Sequence, residues 1–211
     1  MGRIAAASPQ NAFSTLPLTR RIGMKLEGYH ACLTLGGASK VVEEGPFRSE
    51  VDTFLGKGYY LWEGYKEHGI WWGDFRIRKK HWQNYYVLEC VVEFDDNSES
   101  GVFLDLHGRY SDRKLMEDLI KEASDLGYYN DELTLGNYID WLRELNAEKP
   151  GIFPFRVIRA IDATNPDGSE NAVLFKPGSS KRLDLRPRVM ICFHQKMDVH
   201  LHSVKVVHTK V

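Results

Sequence analysis

The chain predicts an α+β fold, and three observations carry that prediction. Strand-like segments open and close the sequence, helical periodicity is confined to its middle, and the links between strands read as hairpins. A doubly wound parallel sheet would instead alternate strand and helix throughout. The 211 residues suffice for one domain with a real core, and 43% hydrophobic and 27% charged content fits an ordinary globular protein.

Residues 1–23 mix Ala, Ser, Pro, Asn and Thr without periodicity, so they read as a flexible arm ahead of a domain over 24–211. The first strand signal starts near Tyr29. Val51–Leu55 and Tyr59–Trp62 read as strands flanking a Gly56-Lys57-Gly58 turn. Gly64–Gly73 reads as a short helix carrying Trp71 and Trp72. Tyr85–Phe94 is the strongest strand, rich in β-branched and aromatic residues, and Val102–Leu106 is another. From Ser111 the pattern turns helical, with Leu115, Leu119 and Ile120 at helical spacing and Asp112 at the favourable N-terminal end. A second helix over about 135–145 puts Tyr138, Ile139, Leu142 and Leu145 on one face, and Pro150-Gly151 ends it. Strands return at Phe155–Ile161, Ala172–Phe175, Val189–Phe193 and Val199–Val207, with a turn at Asn165-Pro166-Asp167-Gly168. Residues at about 107–150 thus form a helical insertion.

A formal net charge of -1 gives no bulk electrostatic case for nucleic acid or membrane. No apolar run reaches bilayer-spanning length, and the first 23 residues lack the apolar stretch of a secretory leader. Three widely spaced cysteines fit reduced thiols, so a cytoplasmic location is expected. Four of the eight histidines fall within His194–His208, but no Cys or carboxylate framework accompanies them, so no metal is expected.

Two motifs point to chemistry: Tyr29-His30-Ala31-Cys32 and Phe54-Leu55-Gly56-Lys57-Gly58-Tyr59-Tyr60-Leu61. Glycines let the backbone turn and approach a ligand, and tyrosine offers a ring to stack and a hydroxyl to orient. Such a set suits a flat, polar, phosphate-bearing ligand. Each motif also has a plainer use: the turn as a β-turn with core aromatics, His30 as a hydrogen-bonded structural histidine, and Trp71-Trp72 as helix packing.

Together the motifs resemble the ADP-ribosyltransferase superfamily, most closely its poly-ADP-ribose-polymerase-like branch and small bacterial relatives. That branch has His-Gly-Ser/Thr followed by Gly-Lys-Gly-Ile-Tyr-Phe. The resemblance spans most of 28–76 and 187–207. It implies a split mixed or antiparallel sheet core with the helical insertion, and NAD as the substrate. His30 then contacts the adenosine ribose, Ala31 holds the nicotinamide amide through its backbone, and Tyr60 stacks on the nicotinamide, with Lys57 between the turn glycines. Trp71 stands eleven residues after Tyr60, where the branch has a second stacking tyrosine, and His68 stands where it has a serine. The family glutamate on a late strand falls on Met190, which implies transfer of single ADP-ribose units. Glu170 and Gln195 are the candidate polar replacements, Glu170 for its carboxylate and Gln195 for its closeness to the motif.

The expected function is therefore a toxin-like mono-ADP-ribosyltransferase, a glycosyltransferase acting on a protein or nucleic-acid acceptor, with a neutralising partner conceivable. Two rivals stand beside it. One is a catalytically inactive pseudoenzyme of the same fold. The other is a nucleic-acid-binding module that uses the basic and aromatic run Arg76, Arg78, Lys79, Lys80, His81, Trp82, Tyr85 and Tyr86.

Overall fold

The computed structural model describes residues 23–34, 36–51, 53–96, 102–128, 133–162, 172–174 and 182–211. Their sheet is built around the strand with the strongest sequence signal. That strand, β4 (Tyr85–Phe94), alternates buried and half-buried side chains. On one side it pairs antiparallel with β1 (Met24–Cys32) through nine residue pairs, from Met24↔Phe94 to Cys32↔Tyr86. On the other it pairs with β10 (His200–Lys210), whose register slips between Leu201 and Ser203 and again between Val206 and His208. Such slips bend an edge strand and increase its twist.

Beyond β1 the sheet continues through β3 (Gly58–Glu63), β9 (Val189–Phe193), β6 (Val157–Ile161) and β5 (Phe103–Asp105), with β2 (Arg48–Ser49) joined to β3. The described pairings are antiparallel except β5 with β6, so the sheet is mixed and the fold is α+β. The parallel pair explains the helical middle of the sequence. Parallel neighbours need a long crossover, and here α3 (Tyr110–Asp125) and α4 (Leu135–Glu148) provide it. Thr134 caps α4 by accepting the Asn137 N–H at 3.2 Å. A separate hairpin joins β7 (Ala172–Leu174) to β8 (Arg182–Asp184).

Both faces of the sheet are covered. On one, Tyr29, Ala31, Trp62, Met190 and Cys192 pack with Met116 of α3 and with Tyr138, Ile139 and Leu142 of α4. On the other, Leu61, Leu88, Ile191 and Phe193 pack with Val41 of α1 (Ala38–Glu44). The first face also carries α2 (Lys66–Arg78), which lies against β4 and β1. Gly73 permits that approach, because a Cβ there would sit 2.4 Å from Cε2 of the fully buried Tyr85 ring. The resulting glycine in a helix interior weakens the local helix signal. The helix nevertheless runs on to Arg78, past the Gly73 end expected from sequence.

Two further differences have physical causes. Residues 54–55, expected in a strand, form a turn, in which the Leu55 N–H donates to the Tyr60 hydroxyl and the Leu55 carbonyl accepts from Arg143 rather than from a neighbouring strand. Helix α1 has seven residues and buries only Val41, which leaves no periodic pattern to read. Residues 1–22, the turn at residues 165–168 and Glu170 lie outside the described residues. Among the described residues no helix is long and apolar enough to cross a membrane.

Candidate functional site

Strands β1 and β3 pair at only two positions, Gly28↔Glu63 and Tyr29↔Trp62, and then part company. A side chain, not a ladder, holds them beyond that point. His30 Nδ1 lies 2.9 Å from the Tyr60 carbonyl oxygen, and its Nε2 accepts the Phe47 N–H at 3.2 Å. With Nδ1 as donor and Nε2 as acceptor, both ring nitrogens are used and the imidazole is neutral. Burial pulls the His30 pKa down to about 4, which favours the same neutral form.

A cavity of about 470 Å³ opens at this parting of the strands. Its walls are His30, Ala31, Thr53, Phe54, Tyr60, Leu61, Trp62, Trp71, Trp72, Phe75, Asp162 and Met190. The size falls within the usual range of small-molecule sites, roughly 300–1,000 Å³. Three tryptophans contribute, with the Trp62 and Trp71 rings edge-to-face at 5.8 Å. Strand alternation turns Trp62, Met190 and Ala160, which are paired across β3, β9 and β6, to one face of the sheet.

Tyr60 holds the neighbouring turn in place. Its hydroxyl accepts the Leu55 N–H at 2.7 Å and donates to the Gly56 carbonyl at 2.6 Å. Burial pushes its pKa well above the ordinary tyrosine value. Helix α4 clamps the same turn from outside: Asp140 accepts the Lys57 N–H at 2.8 Å, and Arg143 donates to the Lys57 carbonyl at 3.1 Å. Gly56 has φ 78, and a Cβ there would meet Asp140 Oδ1 at 2.5 Å, so glycine is needed for both conformation and space.

Five of the residues singled out in the sequence, His30, Ala31, Tyr60, Trp71 and Met190, meet at this one cavity. The others are placed elsewhere. Lys57 is exposed and lines a second cavity of about 390 Å³ with Arg48, Asp140, Arg143 and His194. His68 lies one helical turn before Trp71 but is buried behind the lining, edge-on to Trp62 at 6.2 Å and Tyr65 at 5.4 Å. Gln195 is exposed and begins the 3₁₀ turn Lys196–Asp198, its N–H held by Asp198 at 2.7 Å. It lies beyond the opposite end of β9 from Met190, roughly 16 Å along an extended chain of five residues. The insertion packs on the cavity's face of the sheet, yet none of its described residues lines the cavity.

Asp162 is a lining residue that the sequence did not single out, as are Trp62 and Phe75. It follows β6, and its carboxylate is paired with Arg188 Nε at 3.2 Å. Arg188 also lies over the Trp71 ring, 4.0 Å from its centroid. Among the described lining residues Asp162 is the one carboxylate. The available signal was strand pairing: aligning 157–161 antiparallel with 189–193 sets Ile161 opposite Val189 and Asp162 beside Arg188.

The basic and aromatic run divides. Tyr85 is fully buried, with its hydroxyl 2.8 Å from Asp74 Oδ1, so it presents no ring to a ligand. Arg78, Lys79, Lys80 and His81 are exposed. Around the late histidines, His200 and His202 rings stand 4.4 Å apart, and among the described residues no three His, Cys, Asp or Glu side chains converge as a metal-binding set.

The arrangement can hold a flat ring against aromatic side chains, with the Asp162–Arg188 ion pair beside it and Arg188 over one face of Trp71. Compared with known proteins, the chain matches no family model, no curated protein and no solved structure.

Proposed function

We propose that this chain is a mono-ADP-ribosyltransferase that takes NAD as substrate, on an ADP-ribosyltransferase-like split sheet. The observation that carries the reading is the meeting of His30, Ala31, Tyr60, Trp71 and Met190, far apart in sequence, on one aromatic cavity. The nicotinamide end of NAD is a flat cation, and Tyr60 and Trp62 supply rings that attract such a group, while Trp71 carries Arg188 on one face. The phosphates lie towards the open mouth, because the lining is mostly apolar.

In the transfer step the bond between the nicotinamide nitrogen and ribose C1′ breaks. Nicotinamide leaves neutral with the bonding pair, and C1′ gains oxocarbenium character, as in glycoside cleavage. An acceptor nitrogen or oxygen then bonds to C1′ and releases its proton to solvent. Asp162 stands in for the carboxylate that Met190 does not provide, and it stabilises the developing cation electrostatically. Arg188 fixes the direction of that carboxylate. The role for His30 is revised: with both nitrogens bonded to backbone, it holds the parted strands and presents a ring wall rather than a free ribose contact. Transfer of single units, toxin-like use, a cytoplasmic site of action and a neutralising partner belong to the same proposal.

A binding-only version is favoured by one observation, the occupied His30 nitrogens beside an apolar Met190. Calorimetry with NAD separates the cavity from its chemistry. Tyr60→Ala should weaken NAD binding by about 1 kcal/mol or more, the worth of a stacked ring. Unchanged affinity in that variant would remove the assignment of the cavity to NAD.

A further inference from the structure

Helix α2 closes with Arg76-Ile77-Arg78 and is followed by Lys79-Lys80-His81, and no acidic residue occurs between Phe75 and Tyr86. Among the described residues Arg76, Arg78, Lys79 and Lys80 form no ion pair, whereas the nearby Asp74 is already held by Lys210 at 2.7 Å and Asp162 by Arg188. This run adjoins the cavity. Arg76 lies 5.7 Å from the centroid of the Trp72 ring, and Lys79 Nζ lies 5.7 Å from that of Phe75, both lining rings. Phe54, at the same cavity, is exposed.

The helix terminus departs from its cheapest sequence. Lys80 has φ 59, its N–H bonds to the Ile77 carbonyl at 2.8 Å, and the His81 N–H bonds to that of Arg76 at 3.0 Å. Glycine is the residue that adopts this left-handed closing position without a steric penalty. Two cations in the last turn suffice to oppose the helix dipole. Lys79 and Lys80 add positive charge beyond that need, and Lys80 does so in a strained conformation.

We infer that this turn holds the phosphates of a single-stranded nucleic acid, whose unstacked base reaches the ring-lined mouth at Phe54 and Phe75. Charge complementarity selects a polyanion, and rings beside a basic track select a strand with free bases. A duplex keeps its bases stacked and out of reach of such a mouth. That this strand is the acceptor rests on the transferase reading above; that it binds does not.

The test uses the full chain without NAD, with fluorescent single-stranded RNA and DNA oligonucleotides followed by anisotropy across a salt series. RNA and DNA arms decide which sugar is preferred. Arg78→Glu with Lys79→Glu should weaken binding at least tenfold. Lys80→Gly should weaken it too while raising the melting temperature, since it removes both charge and strain. Removing Arg78, Lys79 and Lys80 together should reduce the salt slope by about 2, at about 0.7 per phosphate contact. No oligonucleotide binding at low salt would overturn the inference. So would a Lys80→Gly variant that is stabilised but binds as wild type. If the same variants lose NAD affinity to an equal degree, the turn serves the phosphates of NAD and the nucleic-acid assignment fails. NAD binding that fails in wild type while oligonucleotide binding holds would instead reject the transferase reading alone.

Discussion

His30 should make the protein lose stability on mild acidification, by an amount that follows from its burial. The fold holds the neutral imidazole, and burial lowers its pKa from 6.5 to about 4. A group depressed in this way contributes its full stability above pH 6.5. That contribution falls as pH drops from 6.5 towards 4, because the unfolded chain binds the proton first, and it stays flat below. A shift of about 2.5 units at 1.36 kcal/mol per unit is about 3 kcal/mol, of which about 2 is lost by pH 5. Other groups titrate in the same window, so the reference is His30→Gln, which keeps a polar side chain but cannot take up a proton. Urea unfolding followed by tryptophan fluorescence at pH 7, 6, 5 and 4.5 gives the stability of each protein. The wild type should lose about 2 kcal/mol more than His30→Gln between pH 7 and 5. Parallel pH dependences, or an NMR titration of His30 with a midpoint near 6.5, would refute the buried, doubly bonded imidazole and its role across the parted strands.

Other substitutions test the parts around it. Tyr60→Phe removes the hydroxyl that serves both the Leu55 N–H and the Gly56 carbonyl, and should lower stability by about 1–3 kcal/mol in urea unfolding; no change would mean those groups find other partners. Gly73→Ala gains about 1 kcal/mol of helix propensity but drives a methyl into the Tyr85 ring, and the melting temperature should fall, since overpacking costs about 1–3 kcal/mol. Asp162→Asn should leave NAD affinity within about threefold while slowing transfer at least tenfold, the pattern of a group acting in the transition state. Equal losses of binding and rate would make Asp162 a binding group only.

Most of the sheet was legible because its strands bury one or both faces and carry β-branched and aromatic runs. Tyr85–Phe94 and Val189–Phe193 have the bounds that the sequence pattern suggests. The sequence pattern ends helix α2 early because Gly73 resembles a stop, whereas its missing side chain serves close packing on Tyr85. The turn at 54–55 resembles a strand because its apolar residues carry no trace of the Tyr60 hydroxyl and Arg143 guanidinium that bond the Leu55 backbone. At the site, Tyr60 and Trp71 were legible from the register of the resemblance, whereas Trp62 and Phe75, which also line the cavity, were not. Asp162 was not, since its position depends on pairing between strands 28 residues apart, Ile161 against Val189. Lys57 lies in the second motif and His68 in the register carried on from it, but Lys57 lines the second cavity and His68 is buried in the core, which linear spacing cannot distinguish.

The central claim is that the cavity between the parted strands cleaves NAD and passes on one ADP-ribose. The direct measurement incubates the protein with NAD labelled on its adenine, alongside single-stranded RNA, DNA and a cell extract, and follows label and released nicotinamide together. The account predicts one equivalent of nicotinamide for each label joined to a macromolecule, as single units, with both signals lost in Tyr60→Ala. No nicotinamide release with any acceptor would contradict it, and long polymer on a gel would contradict the placing of Met190 at the position where the family has its glutamate.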